Sequence, residues 1–306
     1  MPTLQSLLAK QEYSGDPLIM GVVNVTPDSF SDGGEHFEKG AARGRIDELF
    51  RECAEIIDIG AESTRPGAIP VPAEVQLSRA RDAIQYAVGL NMVVSVDTSD
   101  PDVAQEAALL GASVINDVSC LRNGDRLAQV AMKSNMALII THARSPMRTI
   151  SEVPPAAPVS PASSACRDEA YAYGDVVSEV RGEWTVAAHL AKRAGMRAQD
   201  VFFDPGLGFN KSSEHSYELI ARLDEFRTIG HAIVVGPSRK SFLASPVKSE
   251  PKRRVGGTIA ACLACASRGA SVLRVHDVLE IRQALAVERC IREMMSKMSK
   301  SPWRTT

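Results

Sequence analysis

Polar and ionisable side chains recur at intervals along the chain: Asn24, then Glu62-Ser63-Thr64-Arg65, Asp97, Asn116, His142, Asp204, Ser238-Arg239-Lys240, and Arg274 with His276. Their types divide into two chemistries. Asp97, Asn116 and Asp204 offer acceptors, with one amide that also donates, which suits the edge of a nitrogen heterocycle bearing several N–H donors. Lys240, Arg274 and His276 suit an anion, and a guanidinium grips two phosphate oxygens at once. Arg274 and His276 stand two apart, so in an extended segment they face the same side. Together these residues point to one phosphorylated ligand whose other end is a polar ring. Helix caps would account for some of the Asp, Asn, Ser and Thr, but not for Lys240, Arg274 and His276. A structural ion pair for Arg274 and a satisfied loop histidine for His276 are the plainer alternatives.

These groups need elements to position them. Short runs rich in Val and Ile begin near Ile19, Glu55, Met92, Ala112, Ala137, Val201, Ala232 and Ser271. Between most of them lie segments with helical spacing, such as Ile46-Leu49-Phe50-Cys53. Strand-like runs alternating with helices imply parallel βαβ units. Eight of them predict an α/β fold, a single (β/α)8 TIM barrel with its active site at the C-terminal ends of the strands. A doubly wound open sheet is the rival. The polar groups above fall at those strand ends. Two connections, 26–34 and 63–67, are longer than ordinary barrel loops and read as lids over a substrate. The stretch 151–165 is rich in Pro, Ala and Ser, lacks a periodic apolar face, and reads as a flexible insertion after strand 5. The expected organisation is an N-terminal extension (1–17), one barrel (18–295) and a frayed tail (296–306).

Composition narrows the function. The chain has 306 residues with a net charge of −2, which argues against nucleic acid or an anionic membrane as the main partner. No apolar run reaches transmembrane length. The polar N-terminus does not read as a secretory signal, and six scattered cysteines fit a reduced, cytoplasmic chain. Cys262 and Cys265 form a CxxC in an Ala-rich stretch, read as small-residue helix packing because no second Cys/His pair accompanies it. The Gly-rich segment 204–209 is not GxGxxG, and GxxxxGKS/T, HExxH and GxSxG do not occur. Rossmann, P-loop, zinc-hydrolytic and serine-hydrolytic chemistry therefore lack support.

Longer segments carry a resemblance: MGVVNVTPDSFSDGG (20–34), DIGAESTRPGA (58–68), SVDT (95–98), INDV (115–118), DPGLGFNKS (204–212), GPSRKSF (236–242) and RVHDV (274–278). With these the chain resembles the dihydropteroate synthases, pterin-binding transferases of folate biosynthesis and sulfonamide targets. The match runs from about residue 18 to about residue 290. The resemblance implies condensation of 6-hydroxymethyl-7,8-dihydropterin diphosphate with 4-aminobenzoate to give 7,8-dihydropteroate and diphosphate, by a dissociative route. It also implies Mg2+ and a homodimer, although no apolar interface stripe stands out in the sequence. By position, Asn24 corresponds to the Mg2+ ligand. Thr64, Asp97, Asn116, Asp204, Lys240, Arg274 and His276 correspond to the pterin diphosphate site. Phe30, Thr64, Arg65, Pro66, Phe209 and Ser241 correspond to the 4-aminobenzoate side, and Asp32, Asp97 and Lys240 to the catalytic groups. Pro237, Thr141-His142-Ala143, Cys120 and the insertion depart from the usual pattern. The alternatives are a non-catalytic pterin-binding paralogue and a pterin-dependent methyltransferase, neither of which needs both the loop motifs and the anion clamp.

Overall fold

The computed structural model describes residues 2–26, 35–62, 71–122, 124–144 and 172–299. After α1 (Leu4–Ser14), strands and helices alternate: β1 (Leu18–Asn24), α2 (Glu35–Arg51), β2 (Ile56–Gly60), α3 (Ala73–Gly89), β3 (Val93–Asp97), α4 (Pro101–Leu109), β4 (Val114–Asp117), α5 (Arg126–Lys133) and β5 (Ala137–Thr141). Then follow α6 (Val176–Arg193), β6 (Val201–Asp204), α7 (Ser213–Ala221), β7 (Val234–Val235), α8 (Val255–Ser267), β8 (Val272–Val275) and α9 (Val278–Ser299). All strand pairs are parallel, in the order β6-β5-β4-β3-β2-β1-β8-β7. A bridge between Phe203 and Ile233 brings β6 against the β7 edge. The sheet closes into the expected (β/α)8 barrel, and the open-sheet rival falls.

The strands form because their Val/Ile-rich stretches are buried on both faces, as parallel strands require. Alternation then sorts the side chains. Ile19, Val23, Ile57, Ile59, Val94, Val96, Ile115, Leu138, Ile140, Phe203, Leu273 and Val275 face the helices and share one core. Met20, Ile56, Val93, Val114, Ile139, Phe202 and Val272 face inward and make a second core inside the barrel. The N-terminal extension is part of this design. Leu4 of α1 joins the inner core, Leu7 and Leu8 pack beside it, and Gln5 Nε2 donates to Asp200 Oδ1 at 2.8 Å. The helix is a plug under the barrel rather than an appendage.

Other expectations fare unevenly. Ile46 and Leu49 are buried, but Phe50 and Cys53 face solvent, so the apolar stripe of α2 is narrower than its spacing suggested. Cys262 and Cys265 are buried in the outer core, which bears out the packing reading. The chain stays helical to Ser299, beyond the point where fraying was expected. The insertion 151–165 lies outside the described residues. No described helix is long and apolar enough to cross a membrane.

Candidate active site

Climbing each strand toward its C-terminal end, the inward positions change character. On β2 they run Ile56, Asp58, Gly60, and on β3 Val93, Ser95, Asp97. On β4 Val114 gives way to Asn116, and on β8 Val272 gives way to Arg274. Register sets Gly60, Asp97 and Asn116 side by side. Arg274 spans this ring: Nε donates to Asp58 Oδ2 at 2.6 Å and Nη2 to Asp97 Oδ2 at 2.8 Å. Asn116 Nδ2 donates to the same Asp58 oxygen at 3.2 Å. Asp58 is fully buried. Three buried atoms here, Asp58 Oδ1, Asp97 Oδ1 and Ser95 Oγ, have no partner. Buried acceptors left open are uncommon, and these suit a ligand rich in N–H donors.

Burial also sets the electrostatics. It pushes the Asp97 carboxyl up to about 7; Arg274 opposes the shift, while Asp58, Asp117 and Glu62 add to it. Burial disfavours the charge on Arg274, but Asp58 and Asp97 outweigh it and hold the guanidinium above its ordinary value. Asp204 ends β6; burial raises its pKa against the pull of Lys240. Its Oδ1 accepts from Gly206 N at 2.7 Å.

The neighbours Ser238, Arg239 and Lys240 diverge. Arg239 adopts φ 60°, in the left-handed region, and forks onto Asp277 at 2.5 and 3.1 Å. Arg254 Nη1 holds its carbonyl at 2.8 Å. That twist sends Lys240 across to the β6 loop, where Nζ donates to Leu207 O and lies 4.3 Å from the centre of the Phe209 ring. Burial lowers Lys240 to about 8, with Asp204 opposing. Ser238 Oγ accepts from His276 N at 3.2 Å and lies 3.0 Å from His276 Nδ1. The direction of the Ser238–Nδ1 hydrogen bond follows the ring tautomer, and Nε2 lies outside it. Burial, with Arg239 and Arg274 nearby, pushes His276 down to about 3. The ring at the rim is neutral in the empty barrel.

The family model for pterin-binding enzymes matches residues 20–276. The chain belongs to the pterin-binding enzyme family. Within that family it is 35% identical over 272 residues to the dihydropteroate synthase of Escherichia coli strain K12, covering 89% of this chain and 90% of the relative. Among solved structures, the dihydropteroate synthase of Xanthomonas albilineans with 4-aminobenzoic acid superposes with a TM-score of 0.79 at 35% identity, covering 90% of this chain and 93% of that one. The same enzyme in complex with 7,8-dihydropteroate gives 0.76 at 34% identity, covering 90% and 94%.

Of the residues expected at a family site, Asp97, Asn116, Asp204, Lys240 and Arg274 converge inside the barrel mouth, with Phe209 beside Lys240 and His276 on the β8 rim. Ser241 opens a short 3-10 helix, Ser241–Ala244, and is exposed. Phe30, Asp32, Thr64, Arg65 and Pro66 lie outside the described residues. The expected separation of acceptors from cations is not what the fold builds: Arg274 sits between two carboxylates. His142, though at a strand end, turns away from the ring, with Nε2 3.0 Å from Glu183 Oε2 on α6. Cys120 sits at φ 60° in the turn after β4, where Asp117 accepts from Ser119 N and Leu121 N. Burial pushes its thiol up to about 11, so it is inert as a nucleophile.

Asp58 and Lys211 were missed. Asp58 has a signal, a charge inside the apolar run Ile56-Ile57-Asp58-Ile59, and Lys211 has only its place in the 204–212 motif. Asn24 ends β1, exposed, with its Oδ1 3.7 Å from the space a Gly60 side chain would enter. No group of three or more His, Cys, Asp or Glu among the described residues could hold a metal. A lone amide oxygen fits Mg2+ that takes its other ligands from phosphate and water, the usual manner of that ion.

Proposed function

We propose that this chain is the transferase that condenses 6-hydroxymethyl-7,8-dihydropterin diphosphate with 4-aminobenzoate to give 7,8-dihydropteroate and diphosphate. One observation carries the reading: Asp97, Asn116 and Asp204 meet Lys240 and Arg274 in a single buried ring, in a chain whose 35% identity to a dihydropteroate synthase spans most of both proteins. The pterin edge donates to Asp97, Asn116 and Asp204. Its N–H donors favour the ionised form of Asp97. The guanidinium of Arg274, with 21% of its side chain open, meets the ligand from within the ring, and His276 stands on the β8 rim for the diphosphate.

The methylene C–O bond breaks with its electron pair leaving on diphosphate. Asp97, and Asp32 from the first loop, stabilise the methylene cation electrostatically. The aryl amine lone pair then forms the C–N bond and the amine proton departs, so no strong general base is needed. Lys240 contacts the pterin and lies near the second substrate, while Phe209 and Ser241, with Phe30, Thr64, Arg65 and Pro66, shape the aminobenzoate side and exclude water that would capture the cation. Asn24 would hold Mg2+, which when bound supplies charge neutralisation to the leaving diphosphate.

The working form is a cytoplasmic homodimer. Val287, Ile291, Met294, Met295 and Met298 are exposed along α9, a face suited to a second copy of this chain. Sedimentation should give twice the mass of the chain, and Ile291→Glu should halve it. The decisive experiment is an assay for released diphosphate with and without 4-aminobenzoate. Release that depends on the amine and yields dihydropteroate is expected. Binding without release would identify a pterin-binding paralogue, and methyl transfer a methyltransferase.

A further inference from the structure

Lys211 is a buried lysine that the steps above do not use; it is 7% exposed. Its Nζ lies 2.9 Å from His142 Nδ1, 3.2 Å from His142 O, 3.1 Å from Gly206 O and 3.1 Å from Phe209 O. An ammonium has three donors and no acceptor. His142 Nδ1 must therefore accept, and its Nε2–H donates to Glu183. Burying an ammonium is costly unless its hydrogen bonds are complete, and an apolar side chain would fill the space more cheaply. What an apolar side chain would lose is the seam. His142 belongs to the end of β5, whereas Gly206 and Phe209 belong to the loop after β6. Three carbonyls from two segments point at one spot; Gly206 O also accepts from Phe209 N at 3.0 Å, so His142 O and Phe209 O are the two that depend on the shared donor.

The rest of the seam is fitted to the same end. Gly206 has φ +68°, and a Cβ there would sit 1.9 Å from His142 O. Asn210 Nδ2 donates to Arg144 O, a second staple between the same two segments. Beyond the staple, Ser212 caps α7 by accepting from His215 N. The loop held in this way carries Leu207, whose carbonyl receives Lys240, and Phe209, over whose ring Lys240 lies. Asp204 is fixed on β6 by its register with Thr141, and its Oδ1 accepts from the Gly206 amide at the start of the loop.

We infer that Lys211 is a positioning residue: its ammonium locks the β6 loop to the end of β5 and thereby sets Phe209 for the aryl amine substrate, while Asp97 and Asn116 are held by the strands. This rests on the reaction proposed above. The test uses the full chain. Lys211→Met should lower kcat/KM for 4-aminobenzoate about 100-fold, the scale of a misplaced catalytic surface. The pterin diphosphate Kd, measured by calorimetry without amine, should weaken by less than about 10-fold, because Lys240 is the only pterin-side group that touches this loop's outer part. Lys211→Ala lacks three carbons and the ammonium, so added propylammonium should restore part of the amine-side rate. Equal losses for both substrates, or no loss, overturn the inference, as does a Lys211→Ala deficit that propylammonium leaves untouched.

If Lys211→Met does not fold, Asn210→Ala takes its place. A smaller loss confined to the amine supports the inference, and a loss shared with the pterin overturns it. If the wild-type chain makes no dihydropteroate, the proposed reaction fails but the lock is still read by amide hydrogen exchange. Faster exchange confined to 205–211 in the variant supports the lock, and unchanged exchange refutes it.

Discussion

Two residues apart on β2, Ile56 and Asp58 point into the same barrel and do opposite things. Ile56 belongs to the layer near the base, where Leu4, Met20, Val93, Val114, Phe202 and Val272 bury apolar surface against one another. Asp58 belongs to the layer at the mouth, where carboxylates, an amide and two cations are buried with some acceptors open. The same alternation builds both. The base stabilises the fold, at roughly 1.5–3 kcal/mol for each fully buried large side chain. The mouth draws on that stability, because desolvating charge is unfavourable until a ligand completes the hydrogen bonds.

The largest effect expected from this contrast is at the base. Ile56→Ala should cost about 2–5 kcal/mol in denaturant unfolding, through lost transfer energy and the cavity left behind. Michaelis constants measured below the new melting temperature should not change. A shift in them would show that the two layers are not separable. At the mouth, Asp204→Ala should weaken pterin diphosphate binding about 100-fold, or about 2.7 kcal/mol, by calorimetry. Its melting temperature should move little, because removing a carboxyl that burial disfavours is offset by stranding the Gly206 amide it accepts from. Wild-type affinity would remove Asp204 from the site.

Asp97 sharpens the contrast through pH. Its folded pKa is raised to about 7, above its ordinary value. A raised group adds its full stability only below the unfolded value of 3.8 and loses it as pH rises from there through the folded value. Asp97→Asn should therefore melt a few degrees higher than wild type at about pH 8, with the difference shrinking toward about pH 5 and vanishing only near about pH 3, while dihydropteroate formation falls sharply. Arg274 keeps Asp58 as its partner in that variant. A lower melting temperature at the higher pH would mean that the Asp97–Arg274 pair stabilises the empty barrel.

The barrel was legible because parallel strands covered on both faces are nearly continuous apolar runs. Even two-residue β7 announces itself as Ala232-Ile233-Val234-Val235. Asp97, Asn116, Asp204, Lys240 and Arg274 were legible as polar groups where such runs stop. What joins them was not. Arg274 and Asp58 are 216 residues apart in sequence, and only closure of the barrel makes them partners. Residue type also misled: His142 and Arg239 look like site residues, yet one faces Glu183 and Lys211 and the other pairs with Asp277. The exposed face of α9 was hidden for a related reason. Val278, Ile281 and Leu285 pack inward while Val287, Ile291 and Met294 do not, and periodicity alone does not tell which stripe meets the barrel.

The smallest effect expected is at α1, where the base is closed by a helix rather than a strand. Gln5→Ala removes one hydrogen bond to Asp200. The acceptor is not stranded, because Arg197 Nε and Nη2 reach the same carboxylate at 2.6 and 3.2 Å. The loss should be at the low end of the range for a single hydrogen bond, about 0.5 kcal/mol in denaturant unfolding. Leu4 keeps α1 seated in the inner core, so the mouth should not register the change and both Michaelis constants should hold. If so small a change at the base altered substrate binding at the far end, the barrel interior would have to transmit movement along its strands, and the division between a stabilising base and a binding mouth would fail at its weakest point.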